Sequence, residues 1–390
     1  MSWIKQIITV TFFSLITVII IDLIAFPFKE KFQVFLPLYG VEIDNFSRGY
    51  PVGHFSHDDS LGFDITPSFR TQTSIKPIGY KAYAVWGNTY GCFDDEWATD
   101  SLKGGIYLAG DSFTWGYTRY DKKFGTILER LLDTKVYACG VTHTGQAHQF
   151  NKFMRLFEEG LRPKAVIVNI VSNDLDNDFF FPHTDIIDGL MVENVEVCGD
   201  PILSSDFNYK RFDRTETKNY MLKKMLEPSF RSYLREYSLS ANVVAGITSK
   251  IRFQYNRLAK KQTSACRRSA YAGLSKISDL YPNSHYTAQN RENITNWIAH
   301  ANQNDYRLIF SFIPSKGVTR DPTYPFIQKF IEDLSGEYKS FDTHCDLECR
   351  MLNNVYYETD EHFNEVGNQL YAKYLYEILA DTRLKEIQTR

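Results

Sequence analysis

Two hydrophobic registers divide the chain. From Ile7 to Phe26 nearly every position is apolar, interrupted mainly by Ser14, threonines and Asp22. About 20 such residues cross a bilayer as a helix. The apolar core of a signal peptide is shorter and ends in an A-x-A-like cleavage site, which does not follow this run. Residues 1–30 are therefore expected to form an uncleaved membrane anchor, with a cleaved signal or a buried core helix as the competing readings. Asp22 lies near one end of the run, within reach of the membrane interface. Lys5 before the span and Lys29 and Lys31 after it do not fix its orientation.

Beyond the anchor the register changes. Residues 31–104 are aromatic and turn-rich, with Asp58–Asp64 and Trp86–Asp94 reading as turns between short strands. A β-rich lead-in packed on the main domain is expected there. From 105 to 385, short β-branched runs alternate with helical periodicity. Strand patterns fall at Ile106–Ala109, Lys135–Cys139, Lys164–Val171, Arg307–Ile313 and Ser340–Thr343. Helical patterns fall at Lys122–Leu132, Gln146–Glu159, Tyr286–Asn304, Pro325–Leu334 and Asn364–Leu379. Runs such as Ala165–Val171 suit strands buried on both faces of a parallel sheet. The alternation predicts an α/β three-layer sandwich around a central parallel sheet of about five strands. One interval, 179–285, breaks it: Asp185–Val197 suggests a hairpin, and Lys218–Tyr237 and Ala241–Lys261 look helical and rich in Lys and Arg. It is expected to be a helical insertion beside the candidate site. Its basic faces read as solvated surface or, alternatively, as contacts to an acidic glycan.

Composition adds limits. A hydrophobic content of 43% and a charged content of 23% in 390 residues imply a folded chain with a real core. The net charge of −3 gives no electrostatic reason to expect nucleic acid. Six cysteines (Cys92, Cys139, Cys198, Cys266, Cys345 and Cys349) permit disulfides in an exported chain without fixing their connectivity. Cys345 with Cys349 is the pairing expected first. His344, Asp346 and Glu348 have no second ligand pair at structural-zinc spacing, and His54, His57, Asp58 and Asp59 read as a solvated loop. No metal or cofactor is expected.

Candidate chemistry centres on Gly110-Asp111-Ser112-Phe113-Thr114-Trp115-Gly116, between a strand pattern and a helical one. Gly110 permits a tight turn, and a serine on such a loop lies where open α/β sheets place their ligands. Three further pieces follow in order: Cys139-Gly140-Val141, Ser172-Asn173-Asp174 and Asp360-Glu361-His362. Singly, each has a plainer reading, as a helix cap or a turn. Together they suit nucleophilic catalysis. His362 can take the Ser112 proton, and Asp360 can orient the imidazole. The Ser112 N–H, an N–H of the Gly140 loop and the Asn173 amide can hold an oxyanion.

In these residues the chain resembles the SGNH (GDSL-like) hydrolase superfamily, whose four blocks contribute a serine, a glycine, an asparagine and a histidine in that order. The resemblance covers Gly105–Leu379 apart from the insertion, and is greatest to membrane-anchored members associated with surface polysaccharides. It implies a flavodoxin-like sandwich and catalysis by Ser112, His362 and Asp360. It also implies an oxyanion hole of Ser112, Gly140 and Asn173, with Asp111, His143 and Asp174 near the substrate. There are three departures. His143 stands where the superfamily usually has glycine, so Gly140 and Gly145 both remain candidates for the donating N–H. Only Glu361 separates Asp360 from His362. Val171 and Ser172 replace the usual glycine before Asn173.

The implied function is an exported, membrane-anchored serine esterase acting on acyl, chiefly O-acetyl, esters of a glycan. Two alternatives stand beside it. One is an O-acyltransferase, which would need a separate acyl-donor or polysaccharide-export partner. The other is a catalytically silent glycan-binding subunit.

Overall fold

The computed structural model describes residues 2–28, 53–73, 83–98, 102–171, 173–198, 208–222, 238–241, 243–244, 285–314, 316, 324–341, 355–357 and 362–380. Residues 1–48, 76–81 and 223–265 cluster as one unit and the remainder as a second. In the first unit, helix α1 (Ser2–Ala25) runs on into a 3-10 turn, Phe26–Phe28. Its segment Thr9–Phe28, with mean hydropathy 2.3, is long and apolar enough to cross a membrane, as a signal sequence also is. Asp22 accepts the backbone N–H of Ser240 at 2.9 Å.

The second unit begins with two antiparallel pairs, β1 (Phe55–Asp58) with β2 (Gly62–Ile65) and β3 (Arg70–Thr73) with β4 (Tyr83–Trp86). The alternating elements follow: β5 (Ile106–Ala109), α2 (Ser112–Trp115), α3 (Phe124–Leu132), β6 (Val136–Ala138), α4 (Gln146–Glu158), β7 (Ala165–Ile170) and α5 (Asp174–Phe179). Two hairpin-like pairs come next, β8 (Thr184–Ile187) with β9 (Leu190–Glu193) and β10 (Val195–Cys198) with β11 (Asn208–Arg211). The chain returns through α6 (His285–Asn304), β12 (Arg307–Phe312), α7 (Tyr324–Asp333), β13 (Glu337–Ser340) and α8 (Glu365–Ala380).

Five strands form one parallel sheet in the order β13-β12-β7-β5-β6. Alternate residues of each inner strand feed opposite cores. Ile106 and Leu108 pack with Phe124 and Leu128 of α3 and with Tyr371 and Leu375 of α8. Tyr107 and Ala109 face Phe153 of α4 and Ile294 and Trp297 of α6. Both faces are covered, which is why the strands read as continuous apolar runs. The chain steps from β5 out to β6 and then crosses back to β7 on the other side. The strand order therefore reverses between β5 and β7, and the crevice at their carboxyl ends is where such sheets bind ligands.

Two expectations need correction. The fifth strand is Glu337–Ser340, not Ser340–Thr343. It is a sheet edge, paired on one side only, and its polar residues serve other partners: Glu337 takes a two-pronged bond from Arg307 at 2.7 and 2.9 Å. Within the interval 179–285, the hairpin expected at Asp185–Val197 corresponds to the β8–β9 pair. The described helical residues of the interval are Arg214–Glu216, Thr217–Leu222, 239–241 and 243–244, and the remainder of Lys218–Tyr237 and most of Ala241–Lys261 lie outside the described residues. The solvated loop at His54–Asp59 is instead structured. His54 is buried and takes a bond from the Trp115 indole at 3.1 Å, while His57 bonds Asp185 at 2.7 Å.

Candidate active site

The turn that carries Ser112 is set by backbone geometry. Gly110 has φ +155°, and a Cβ there would stand 2.1 Å from Thr114 Oγ1. Only glycine can make that turn without moving Thr114. Asp111 then caps α2, its Oδ1 accepting the Phe113 N–H at 3.0 Å. Ser112 opens the helical turn and is 7% exposed. Beneath it lies Asn169, a polar residue inside β7 that the sequence reading did not single out. Its amide donates to Ala109 O at 3.0 Å and Thr114 Oγ1 at 2.9 Å, and its oxygen accepts from Tyr371 at 2.7 Å. These bonds tie the turn to two neighbouring elements.

Gly140 packs directly on this turn. A Cβ would come within 2.3 Å of the Trp115 nitrogen and 2.5 Å of Thr114. Gly145 instead abuts Asp178 and Asp174, with contacts of 2.5 and 2.9 Å. Of the two glycines left open by the sequence, Gly140 is the one beside Ser112. Its neighbours are held: Cys139 N–H bonds Leu108 O, and Val141 N–H bonds Gly110 O, both at 3.1 Å. Among the described residues, the N–H groups of Ser112 and Gly140 have no acceptor. His143 adopts φ +62°, a left-handed conformation that favours glycine. Its Nε2 lies 3.3 Å from Glu193 Oε1 on β9.

Cys139 is also disulfide-bonded to Cys92. Two buried lysines hold the carbonyls flanking Cys92: Lys152 reaches Gly91 O at 2.7 Å, and Lys123 reaches Phe93 O. Burial lowers the Lys123 ammonium to about 7. The pairing expected first, Cys345 with Cys349, lies outside the described residues. No sequence spacing distinguished Cys92–Cys139.

The asparagine block contributes one accessible group and several hidden ones. Asn173 is half-buried, and its amide points to Asp111 Oδ2 at 3.4 Å. Asp174 is fully buried, and its carboxylate accepts the Gln146 amide at 2.8 Å. Asp111, also expected near substrate, is buried behind Ser112, its Oδ2 3.1 Å from the hydroxyl oxygen. Burial raises the Asp111 carboxyl, opposed by the Phe113 N–H and by His362. Burial and then the neighbouring Asp111 and Asp178 push Asp174 well above the usual carboxylate range. Asp178 is raised to about 7 by burial, against bonds from the Ala147 N–H and Asn290. Three buried carboxyls in one region favour protonation over accumulated charge.

His362 arrives from the far end of the chain. Its Nε2 is 2.7 Å from Ser112 Oγ, across 250 residues of sequence. A serine hydroxyl has one proton, and this nitrogen is nearer than Asp111 Oδ2. Asp360 lies outside the described residues. Among the described residues no group of three or more His, Cys, Asp or Glu side chains is arranged to hold a metal ion.

No protein-family model matches this chain, and no curated protein matches it. Its neighbours among solved structures are GDSL-type proteins and esterases. One is a protein of the G-D-S-L family from Desulfitobacterium hafniense DCB-2, with 12% identity over 70% of this chain and 98% of that one, and TM-score 0.36. Another is the acetyl xylan esterase AlAXEase, with 8% identity over 70% and 98%, and TM-score 0.32. A third is the psychrotrophic esterase EstA from Pseudoalteromonas sp., with 8% identity over 73% and 98%, and TM-score 0.32.

Proposed function

We propose that this chain is a serine-dependent esterase of the SGNH type that cleaves acyl esters, chiefly O-acetyl groups of a glycan, through an acyl-enzyme. The observation that carries this reading is the 2.7 Å approach of His362 Nε2 to Ser112 Oγ at the carboxyl end of β5. Ser112 Oγ attacks the acyl carbon as its proton passes to His362. The negative charge on the carbonyl oxygen is met by the Ser112 and Gly140 N–H groups and the Asn173 amide. The ester oxygen leaves with the proton from His362, and water then enters by the same route in reverse. Asp360 is assigned to orienting the imidazole.

The body is placed on the extracytoplasmic side of the membrane, with α1 as its anchor. A buried Cys92–Cys139 disulfide supports that side, because such bonds persist in oxidising compartments. The test is p-nitrophenyl acetate hydrolysis by wild type, Ser112→Ala and His362→Ala, followed by acetate release from acetylated oligosaccharides. Both variants should fall to background with unchanged thermal unfolding. Wild-type turnover by folded Ser112→Ala would sink the assignment.

A further inference from the structure

Two aromatic rings hold the candidate base from its sides. The Tyr117 ring lies 4.0 Å from the His362 ring between centroids, tilted by 34°, and the Phe113 ring lies 5.0 Å away at 43°. Both tyrosines of the surrounding shell, Tyr117 and Tyr357, are buried. Tyr357 joins the two chain segments that carry the stack. Its N–H donates to the His362 carbonyl at 3.0 Å, and its hydroxyl donates to the Tyr117 carbonyl at 2.6 Å. Gly116, at φ +81°, turns the chain so that Tyr117 can leave α2 and face the histidine. Trp115 meets Tyr117 edge-on at 5.2 Å, and the same apolar cluster includes Ile186 and Met191 of the β8–β9 pair.

The chemistry of such a stack is asymmetric. A neutral imidazole gains little from an aromatic face, whereas an imidazolium is drawn to its negative quadrupole. In the proposed reaction His362 becomes cationic as it takes the Ser112 proton. A ring fixed against it therefore contributes most when the charge develops, which is the condition for accelerating a step. The ring also limits rotation of the imidazole away from Ser112 Oγ.

We propose that Tyr117, locked in place by Tyr357, is a positioning residue that keeps His362 aimed at Ser112 as the proton is transferred. This rests on the reading of His362 as the base.

The test uses the chain in detergent and measures the second-order rate of fluorophosphonate labelling at about pH 8. Variants are Tyr117→Phe, Tyr117→Leu and Tyr357→Phe. Tyr117→Phe keeps the ring and should retain the wild-type rate. Tyr117→Leu should lower the rate roughly tenfold, because the charge that develops on His362 loses its aromatic face and the imidazole its restraint. Tyr357→Phe removes one hydroxyl and should lower the rate by a smaller factor. It decides the matter if the leucine variant does not fold. If wild type labels and the folded variants keep its rate, the role of Tyr117 is refuted while the esterase reading stands. If wild type takes no label, the esterase reading falls and this proposal with it.

Discussion

Replacing Gly140 by alanine places a methyl carbon 2.3 Å from the Trp115 nitrogen and 2.5 Å from both the carbonyl carbon and Cβ of Thr114. Ordinary contact begins about 1 Å farther out, at 3.4 Å, and two of these three neighbours are backbone atoms that cannot swing aside. The flanking residues resist as well. Cys139 is fixed by its disulfide and its bond to Leu108, and Val141 by its bond to Gly110. The displacement must therefore fall on the Gly140 peptide, which carries the proposed oxyanion donor. Overpacking of this kind costs roughly 1–3 kcal/mol of stability. Losing one oxyanion donor costs about 3–4 kcal/mol in the transition state, a drop in kcat of roughly 10²–10³-fold. The assay is kcat and KM on p-nitrophenyl acetate, with thermal unfolding measured alongside. The expected result is a folded variant with a collapsed kcat and a KM within a few-fold of wild type. Gly145→Ala, which crowds Asp178 instead, should lose stability with a far smaller loss of kcat. Wild-type kcat in folded Gly140→Ala would refute the placement of this donor.

Further outcomes follow from the same geometry. Asn173→Ala should lower kcat by about 10²–10³-fold with little change in KM, since its amide is the proposed third oxyanion donor; equal kcat in steady-state assays would remove it from that role. Removing both Cys92 and Cys139 should cost about 2–4 kcal/mol in urea unfolding, the range for a loop closed by residues 47 apart. A loss under 1 kcal/mol would mean that the lysine-held carbonyls already restrain that loop. Asp178 is held at about 7, above an unfolded carboxyl near 4. Its protonated form stabilises the fold fully below about pH 4, and that contribution is lost as pH rises through 7. Urea unfolding should therefore show wild type losing more stability than Asp178→Asn between pH 5 and pH 8. Parallel slopes would contradict the shift.

The sheet was legible where burial is two-sided. Ile106–Ala109, Ala165–Ile170 and Arg307–Phe312 are apolar runs because helices cover both faces, and nothing about them depends on distant partners. β13 was misplaced because a sheet edge needs no such run: Glu-Tyr-Lys-Ser carries too little apolar signal to mark it. At the candidate site, residue type and order had singled out Ser112, Asn173 and His362, and Ser112 and His362 do lie within hydrogen-bond reach. What joins them could not. Asn169 is a polar residue within an apolar strand, satisfied by Tyr371 across 202 positions. Tyr357 meets Tyr117 across 240 positions, and the Cys92–Cys139 bond has no spacing that sets it apart from other pairings. His54 looked like a loop residue because its partner, Trp115, lies 61 residues away. Local pattern reports an element's own burial, whereas these contacts depend on tertiary closure.

Intact mass of the full-length chain after exposure to a fluorophosphonate, with Ser112→Ala in parallel, tests the central claim most directly. An activated serine predicts a single adduct on wild type and none on Ser112→Ala. No adduct on folded wild type, or an adduct that persists in Ser112→Ala, would contradict the account.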